Sequence, residues 1–356
     1  MTELAPAGID YAGVSRFFAE RIPGGDAPLR IELIGDGRSN LTYLVRADGR
    51  EWVLRRPPLG HVLPTAHDMA REFRVLSALA DTDVPAPRPF ALCEDPTYNG
   101  GTFYVMAYKQ GEIITEALPP GYAETAEERR RLSLALVDAL VRLHAVDYEA
   151  VGLGDFGRPE GYLERQVRRW SEQWERSETR ELPAIDELIR RLRAALPESP
   201  APAIVHGDYR LGNMILAADD PGRVEAILDW EMATLGDPLA DLGYTLIFWG
   251  EATDPPEVLA VHGAMKVSAQ PGFLRRDELI AEYARRSGRS VDAVDFYRVF
   301  AAYKLAVITE GIHARYLKGL TVGEGFEGYG EQTERMAAYA LALADASEDP
   351  RLRGEM

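Results

Sequence analysis

Three oxygen-bearing side chains follow one another at short intervals in the second half of the chain. Asp208 lies in a polar loop after the apolar run at 203–205, and Asn213 comes five residues later, at the start of another apolar run. Asp229 ends a third apolar run, sixteen residues beyond Asn213. Residues 219–222, between the last two runs, have the composition of a turn. A hairpin through this turn would bring Asn213 and Asp229 close together.

Phosphoryl transfer is the chemistry that such a set of side chains can serve. The reaction needs one group that orients the attacking hydroxyl, and oxygen ligands for the Mg²⁺ ion on the ATP phosphates. Asp208 would be the catalytic base, and Asn213 and Asp229 would be metal ligands. His206 is interpreted as a hydrogen-bonded residue that orients the loop, because Asp208 already supplies the base. An ordinary hairpin with polar turns is the alternative, but it leaves the spacing of the three residues unexplained.

The sequence His206-Gly207-Asp208, followed by Asn213 and later by Asp229, resembles the catalytic core of aminoglycoside phosphotransferases and choline-kinase-like enzymes. These enzymes are related to protein kinases. The resemblance extends over about residues 28 to 317. It implies a bilobal protein-kinase-like fold of the α+β class, ATP and Mg²⁺ as cofactors, and a small-molecule hydroxyl group as the phosphate acceptor.

Two further segments carry a narrower similarity. Residues 52–58 and 229–238 resemble the kinase-like domain attached to acyl-CoA dehydrogenases 10 and 11, and its free-standing bacterial relatives. This similarity implies a hydroxyacyl or hydroxy-acid acceptor, whereas the broader family implies an aminoglycoside-like one. A protein substrate is disfavoured, because no Ala-Pro-Glu segment follows Asp229.

Short strand patterns and one main helix make up the first part of the chain. A capping-box pattern at Thr65 and Asp68 predicts that this helix runs from there to about Ala80. We expect residues 1–109 to form a small antiparallel-sheet lobe that binds nucleotide, with a turn at 98–101. The predicted strands are 31–34, 41–46, 52–56, 89–93 and 102–108.

Helical patterns replace the strand patterns beyond a predicted hinge near residues 106–110. Residues 110–356 are expected to form a larger, mostly helical lobe that contains the catalytic and acceptor sites and one small hairpin. The segment 161–177 is predicted to be a helix. Another helix is indicated by apolar residues at helical spacing, namely Leu132, Leu136, Leu140 and Leu143.

Seven residues of the first lobe are candidates for nucleotide binding. The first three occupy a glycine-containing loop whose N–H groups can contact phosphate oxygens, although the same composition suits a plain hairpin turn. The last two end a strand where, by resemblance, the hinge backbone would bond the adenine edge. The candidates are Gly37, Ser39, Asn40, Arg55, Glu72, Met106 and Tyr108.

Arg55 stands where the resembled kinases carry a lysine, and Glu72 lies on the following helix, where the ion-pair partner is expected. An arginine fork can hold phosphate oxygens bidentately. Arg56 is the alternative, because adjacent strand residues face opposite ways. The missing lysine motivates a second hypothesis, in which the chain is a catalytically impaired nucleotide-binding pseudokinase or regulatory module.

Charged and aromatic residues on two helical segments are the candidates for acceptor binding. They would line a pocket for an anionic or acyl substrate, or else they form charged helix faces over core tryptophans. By resemblance, Asp241 would brace the catalytic loop through its backbone. The candidates are Arg165, Arg168, Arg169, Trp170 and Trp174 on the first segment, and Tyr303, Lys304, Glu310, His313 and Arg315 on the second.

Bulk composition excludes several other classes of function. The 356 residues carry a formal net charge of −17, which disfavours nonspecific binding to nucleic acid or to anionic membranes. No apolar run approaches the length of a membrane span, and the N-terminus lacks a signal-peptide layout. Cys93 is the only cysteine, which rules out an intramolecular disulfide and fits a cytoplasmic protein.

Overall fold

The structure, a computed structural model, describes residues 6–34, 40–59, 68–260, 263–321 and 325–355. Two of the predicted phosphate-loop residues, Gly37 and Ser39, lie outside these ranges, as does Thr65 of the predicted capping box. Asn40, the third residue of the predicted loop, lies within them and is buried.

A five-stranded antiparallel sheet forms the first part of the molecule. Its spatial order is β1-β2-β3-β5-β4, so the last two strands are exchanged relative to their order in the sequence. All five strand predictions are confirmed to within two residues at each end. The strands are β1 (Arg30–Ile34), β2 (Leu41–Ala47), β3 (Arg50–Arg56), β4 (Pro89–Cys93) and β5 (Phe103–Ala107).

Three helices accompany this sheet: α1 (Tyr11–Arg21), α2 (Met69–Leu79) and α3 (Pro96–Asn99). The predicted start of α2 is wrong by about one turn. Asp68 has an extended backbone and caps the helix, with its side chain accepting a hydrogen bond from the Arg71 N–H at 3.0 Å. The predicted turn at 98–101 is also corrected, because Pro96 starts the short helix α3, which ends at Gly100 in a left-handed conformation.

Side chains of β3 alternate between the two faces of the sheet. Trp52 and Leu54 pack in the apolar cluster between the sheet and α1, whereas Val53 faces α2 and the helical part of the molecule. The alternation therefore places Arg55 on the same side as Val53. Arg56 points the other way, and its guanidinium donates to the backbone carbonyl of Gly8.

The rest of the chain is mostly helical and contains two small two-stranded sheets. The strands are β6 (Ala203–Val205), β7 (Met214–Ala217), β8 (Asp220–Ile227) and β9 (Thr234–Gly236), with β6 paired to β9 and β7 to β8. The helices are α4 (Ala126–Ala145), α5 (Tyr162–Ser177), α6 (Pro183–Ala194), α7 (Leu239–Ile247), α8 (Pro256–Leu259), α9 (Gly263–Ser268), α10 (Arg276–Ser287), α11 (Val294–Leu317) and α12 (Tyr329–Asp345).

This arrangement confirms the predicted bilobal α+β fold, with a small antiparallel sheet followed by a larger helical part. The helices predicted at 132–143 and 161–177 correspond to α4 and α5. The predicted hairpin is β7–β8, although its turn is tighter than expected, since Ala217 already pairs with Asp220. None of the helices in the described part of the chain is long and apolar enough to cross a bilayer.

Candidate functional site

The loop from His206 to Asp208 leaves the end of β6 and requires a glycine at its centre. Gly207 has a φ of +86°, in the left-handed region that side chains disfavour. A Cβ atom added there would also lie 2.9 Å from both the Cβ and the carbonyl oxygen of Met232. The backbone conformation and the close contact with Met232 therefore explain why the middle residue of His-Gly-Asp is a glycine.

Asp241, in the first turn of α7, fixes the position of this loop. The N–H groups of His206 and Gly207 each donate to the Asp241 carboxylate at 2.7 Å. His144 Nε2 lies 3.3 Å from the same carboxylate. Burial alone would raise the pKa of Asp241, but hydrogen bonds and nearby positive potential, first of all from His144, hold that pKa below its ordinary value. The carboxylate thus remains an ionised anchor for the loop.

His206 orients the loop and is fully buried. Its Nδ1 accepts a hydrogen bond from the Asp208 N–H at 3.3 Å, so its Nε2 carries the proton and donates to the Leu228 carbonyl oxygen at 2.9 Å. This geometry agrees with the predicted orienting role. It also joins the loop to the segment that precedes Asp229.

Asp208 and Asn213 are in direct contact. The Asn213 amide nitrogen donates to the Asp208 carboxylate at 2.6 Å and to its backbone carbonyl at 2.8 Å. The other carboxylate oxygen of Asp208 lies 3.2 Å from Nε of Arg210. Both contacts fix the orientation of the carboxylate, which is partly exposed.

Asp229 is brought to the same place by the β7–β8 hairpin. The Leu228 N–H donates to the Asn213 carbonyl oxygen at 2.8 Å, which extends the hairpin by one bond beyond its strands. Asp229 itself has φ 68° and ψ 62°, a left-handed conformation that is uncommon for residues other than glycine. Such backbone strain is concentrated at functional sites in proteins.

Arg55 connects Asp229 to the sheet. Its Nη2 donates to the Asp229 carboxylate at 2.6 Å, and its Nε lies 3.2 Å from the Glu72 carboxylate. Burial acts to lower the pKa of the Arg55 guanidinium, but the negative charges of Glu72 and Asp229 outweigh it and raise the pKa. The ion pair predicted between Arg55 and Glu72 is present, whereas Arg56 lies on the opposite face.

Glu72 is only 1% exposed and is held by three groups. Besides the ion pair with Arg55, it accepts hydrogen bonds from the Tyr104 hydroxyl at 2.8 Å and from the Asn40 amide nitrogen at 3.1 Å. The same Asn40 nitrogen donates to Glu231 at 3.2 Å, which links the end of the predicted phosphate loop to the segment after Asp229. Burial raises the pKa of Glu72 to about 7, although the charge of Arg55 opposes the shift.

A cleft of about 390 Å³ opens beside these residues. Its lining is mainly apolar and includes Arg55, Asp229, Met106 and Tyr108. Size and lining are those of a pocket for a small organic ligand. The Ala107 N–H donates to the Arg88 carbonyl at 2.8 Å, so this group of the predicted hinge is already used.

The oxygen atoms near Asp229 suit a cation that is also bound by phosphate groups. Within the residues that the structure describes, no group of three or more His, Cys, Asp or Glu side chains is arranged to hold a metal ion. Mg²⁺ is usually bound by one or two protein oxygens while phosphates and waters complete its shell. The Asn213 amide oxygen and the Asp229 carboxylate fit that requirement.

The candidate acceptor residues divide into two groups. Arg165 donates to the backbone carbonyls of Arg158 and Glu160, so it serves local structure. Arg168 and Arg169 are exposed, and Trp174 is buried in the core. For most of α5, the alternative of a charged face over core tryptophans therefore describes the contacts.

The second segment contributes one residue that reaches the loop carrying Asp208. On α11, Glu310 is buried and pairs with Arg180 at 3.2 Å, which is a structural contact. Lys304 instead donates from its Nζ to the Gly207 carbonyl oxygen at 3.0 Å. Tyr303 is buried in the core, 3.5 Å from Ser171.

Sequence reasoning missed three residues of this site: Tyr104, Glu231 and Tyr244. Tyr104 could have been found, because it precedes Met106 by two residues and so shares its face of β5. Burial and then the nearby Asp208 carboxylate raise the pKa of Tyr244 well above its usual value. No pattern in the sequence connects Tyr244 or Glu231 with their partners.

Comparisons with known proteins show what this chain is similar to. Residues 30–279 match the model of the phosphotransferase enzyme family. The acyl-CoA dehydrogenase family member 10 of Mus musculus is 35% identical over 318 residues, which cover 89% of this chain and 29% of that protein. The chain spans less than half of the length of the curated relatives that it matches.

Two solved structures show the same fold. One is a Ralstonia eutropha protein provisionally assigned as an aminoglycoside phosphotransferase, with a TM-score of 0.82 and 32% identity over 96% of this chain and 99% of that one. The other is a thermostable mutant of the aminoglycoside phosphotransferase APH(4)-Ia in complex with AMP-PNP and hygromycin B. It has a TM-score of 0.60 and 14% identity over 94% of this chain and 100% of that one.

Proposed function

Because the chain belongs to the phosphotransferase enzyme family, we propose that it transfers the γ-phosphoryl group of ATP to a hydroxyl group of a small molecule. Asp208 would be the catalytic base, and Asn213 and Asp229 would be the metal ligands. The nucleotide would lie between a lobe of residues 1–109 and a lobe of residues 110–356.

One observation carries the proposal: Asn213 connects Asp208 to the segment that leads into Asp229, and Asp229 lines the cleft. Asn213 donates to the Asp208 carboxylate, and its backbone carbonyl accepts from the residue before Asp229. Phosphoryl transfer depends mainly on positioning and electrostatic stabilisation, and this arrangement would contribute to both.

The protein groups would then act in the following way. Mg²⁺, when bound with ATP, would neutralise charge that develops on the phosphate oxygens. Asp208 would orient the acceptor hydroxyl and take its proton, while the hydrogen bond from Asn213 keeps the carboxylate in place. Arg55 would hold phosphate oxygens with its planar fork, and Glu72 would fix the position of that fork. Asn40, at the end of the predicted phosphate loop, would fix Glu72 in turn.

Two classes of acceptor follow from the relatives. Hygromycin B is named as the ligand of the APH(4)-Ia complex, which favours an aminoglycoside-like acceptor. The mouse relative is named as an acyl-CoA dehydrogenase family member, which favours a hydroxyacyl or hydroxy-acid acceptor. The greater identity of the second relative, 35% against 14%, gives its acceptor class more weight.

The test is to replace Asp208 with alanine and to measure phosphate transfer across a panel of hydroxylated acceptors. The proposal expects that transfer is lost, by at least about 10²-fold, because a positioned base contributes 10²- to 10⁴-fold. Nucleotide affinity, measured separately by calorimetry, should change little. Unchanged turnover in this variant would refute the assignment of Asp208.

A nucleotide-binding module without turnover is the second candidate. The observation that favours it is the direct pairing of Arg55 with Asp229, which occupies both the phosphate-binding fork and a metal ligand. This candidate predicts that ATP binds and that the wild-type chain transfers phosphate to none of the acceptors. The same panel therefore separates the two functions.

A further inference from the structure

Lys304 reaches the catalytic loop from α11 and lies between two aromatic rings. Its Nζ donates to the Gly207 carbonyl oxygen at 3.0 Å, next to the catalytic base that we propose. The ammonium group is 4.8 Å from the centre of the Tyr244 ring and 5.5 Å from that of Trp170. Both distances are typical of a cation attracted to an aromatic face.

The indole of Trp170 supplies an independent observation. This side chain is 9% exposed, and its Nε1–H has no hydrogen-bond partner among the residues that the structure describes. A buried donor left unpaired is destabilising, so such groups are rare unless a ligand or water satisfies them. The neighbouring ammonium cannot satisfy it, since it also only donates. A ligand group that accepts hydrogen bonds would pair with the indole N–H of Trp170.

The same place carries positive charge in a chain whose net charge is −17. Burial lowers the pKa of Lys304, and the carboxylates of Asp208 and Asp241 oppose that shift, while Arg169 adds to it. Nε of Arg210 lies 3.2 Å from the Asp208 carboxylate. The proposed base is therefore accompanied by more than one cation.

We propose that Lys304, Trp170 and Tyr244 form the part of the acceptor site that binds a carboxylate of the substrate, and that Lys304 excludes acceptors with an ammonium group at this position. The inference rests on the proposed function and names its acceptor class. The aromatic faces that would attract a substrate ammonium are already used by Lys304, and a second cation would meet like charge in a poorly solvated place. A carboxylate, in contrast, can accept from both the ammonium and the indole N–H.

The experiment compares three acceptor probes of matched length: ω-hydroxyalkanoates, the corresponding amino alcohols and the corresponding diols. Binding is measured by calorimetry in the presence of AMP-PNP, over a ladder of chain lengths. The wild-type protein should bind a hydroxyalkanoate more tightly than the diol, and the amino alcohol least tightly. Because no turnover is needed, this result does not depend on whether the chain transfers phosphate, which the Asp208→Ala assay decides separately.

Variants test which residues cause the expected preference for a carboxylate. Lys304→Met should weaken hydroxyalkanoate binding about 10- to 100-fold, the usual effect of losing a hydrogen bond to a charged group, and leave diol binding nearly unchanged. Lys304→Arg should restore part of the preference, and Trp170→Phe should reduce it while keeping the aromatic face. Lys318→Met is the matched control, because this exposed lysine follows the same helix about 21 Å further along its axis.

Any one of four outcomes would overturn the inference. One is an amino alcohol that binds as tightly as the hydroxyalkanoate of equal length. Another is hydroxyalkanoate affinity that is the same in Lys304→Met and in wild type, or the absence of hydroxyalkanoate binding at every chain length. The last is a Lys304→Met variant in which all three probes lose the same affinity, since that result would make Lys304 only a support for the Gly207 carbonyl.

Discussion

The guanidinium of Arg55 lies 2.6 Å from the carboxylate of Asp229, although the two residues are 174 positions apart in the chain. The contact joins the third strand of the sheet to the residue that follows the β7–β8 hairpin. Through Glu72 it continues to α2, and through Asn213 the hairpin reaches the proposed catalytic base. One cation therefore connects the proposed nucleotide site with the proposed metal site.

Replacing Arg55 with methionine should weaken nucleotide binding about 10- to 100-fold, because at least one charge-assisted hydrogen bond to phosphate would be lost. Arg56→Met is the matched control, since Arg56 faces the other side of the sheet and donates to Gly8 and Asn99 carbonyls. It should leave nucleotide affinity within about twofold of wild type. Calorimetric titration with AMP-PNP measures both effects, at a temperature where circular dichroism shows both variants to be folded.

The opposite ranking would contradict the assignment. If Arg56→Met weakened nucleotide binding more than Arg55→Met, the phosphate-binding arginine would be Arg56. Equal losses in the two variants would indicate a general distortion of β3 rather than a specific phosphate contact.

Nucleotide affinity should rise between about pH 6 and pH 8, because Glu72 loses its proton in this range. Burial raises the pKa of Glu72 to about 7 in the folded protein, and only the ionised carboxylate pairs with Arg55. Glu72→Gln cannot titrate, so its affinity should change less across the same range. The comparison cancels the titration of the nucleotide itself, which is common to both proteins.

The raised pKa of Glu72 also determines how the free energy of unfolding changes with pH. The ordinary pKa of Glu72 is 4.5, so between about pH 4.5 and pH 7 the folded protein keeps a proton that the unfolded chain releases. This group's contribution to stability is fully present below about pH 4.5 and is lost as the pH rises through 7. Urea unfolding should show a smaller decline with pH in Glu72→Gln than in wild type. An equal decline in both proteins would contradict the pKa of Glu72.

Much of this site could be predicted from the sequence because its signals are local. The spacing of Asp208, Asn213 and Asp229 around a hairpin is fixed by a few residues of turn and strand. The alternation along β3 correctly offered Arg55 and Arg56 as opposite-facing alternatives, and only the packing of α1 against one face decides between them. The strand predictions were confirmed for the same reason, because the two-residue alternation of side chains in a strand is visible in short runs of sequence.

The remaining contacts depend on tertiary packing and leave no trace in local spacing. Lys304 and Gly207 are 97 residues apart, and Asn40 and Glu231 are 191 apart. Their meeting depends on how the helical part is arranged around the catalytic loop. The start of α2 was misplaced because the prediction put Asp68 inside the first turn, whereas Asp68 is itself the residue that caps the helix.

Replacing Gly207 with alanine should cost more than the left-handed backbone alone. The φ of +86° carries a penalty for any side chain, and the added Cβ would press against Met232 at 2.9 Å. Gly49→Ala is the matched control, because Gly49 has a φ of +73° and nothing lies within 4 Å of its added Cβ. We expect about 1 kcal/mol lost in Gly49→Ala and about 2–4 kcal/mol in Gly207→Ala, with phosphate transfer reduced only in the latter. Urea unfolding and the acceptor assay measure the two effects; equal costs in both variants would show that Met232 moves away freely.

Asp241→Asn should reduce kcat through the position of the catalytic loop rather than through nucleotide binding. The Asp241 carboxylate accepts the His206 and Gly207 N–H groups at 2.7 Å each, whereas an asparagine offers one oxygen and turns an NH₂ group toward the other donor. At least one buried N–H group would lose its partner, at a cost of about 1–3 kcal/mol in unfolding free energy. The loop carrying Asp208 would shift, and small misplacements of a base lower the rate strongly.

Asp237→Asn separates this positioning effect from a general loss of stability. Asp237 is a buried carboxylate four residues earlier, but its side chain pairs with the Tyr297 hydroxyl, the Leu239 N–H and the Ser199 side chain. Among the described residues, none of its hydrogen bonds reaches the loop that carries Asp208. Both variants should therefore change the unfolding free energy, while only Asp241→Asn should lower kcat at saturating nucleotide. Because Asp241 does not line the cleft, its variant should keep the wild-type KM for ATP. If the two variants lowered kcat equally, the loss would follow from reduced stability, and the two hydrogen bonds from the loop to Asp241 would have no special part in catalysis.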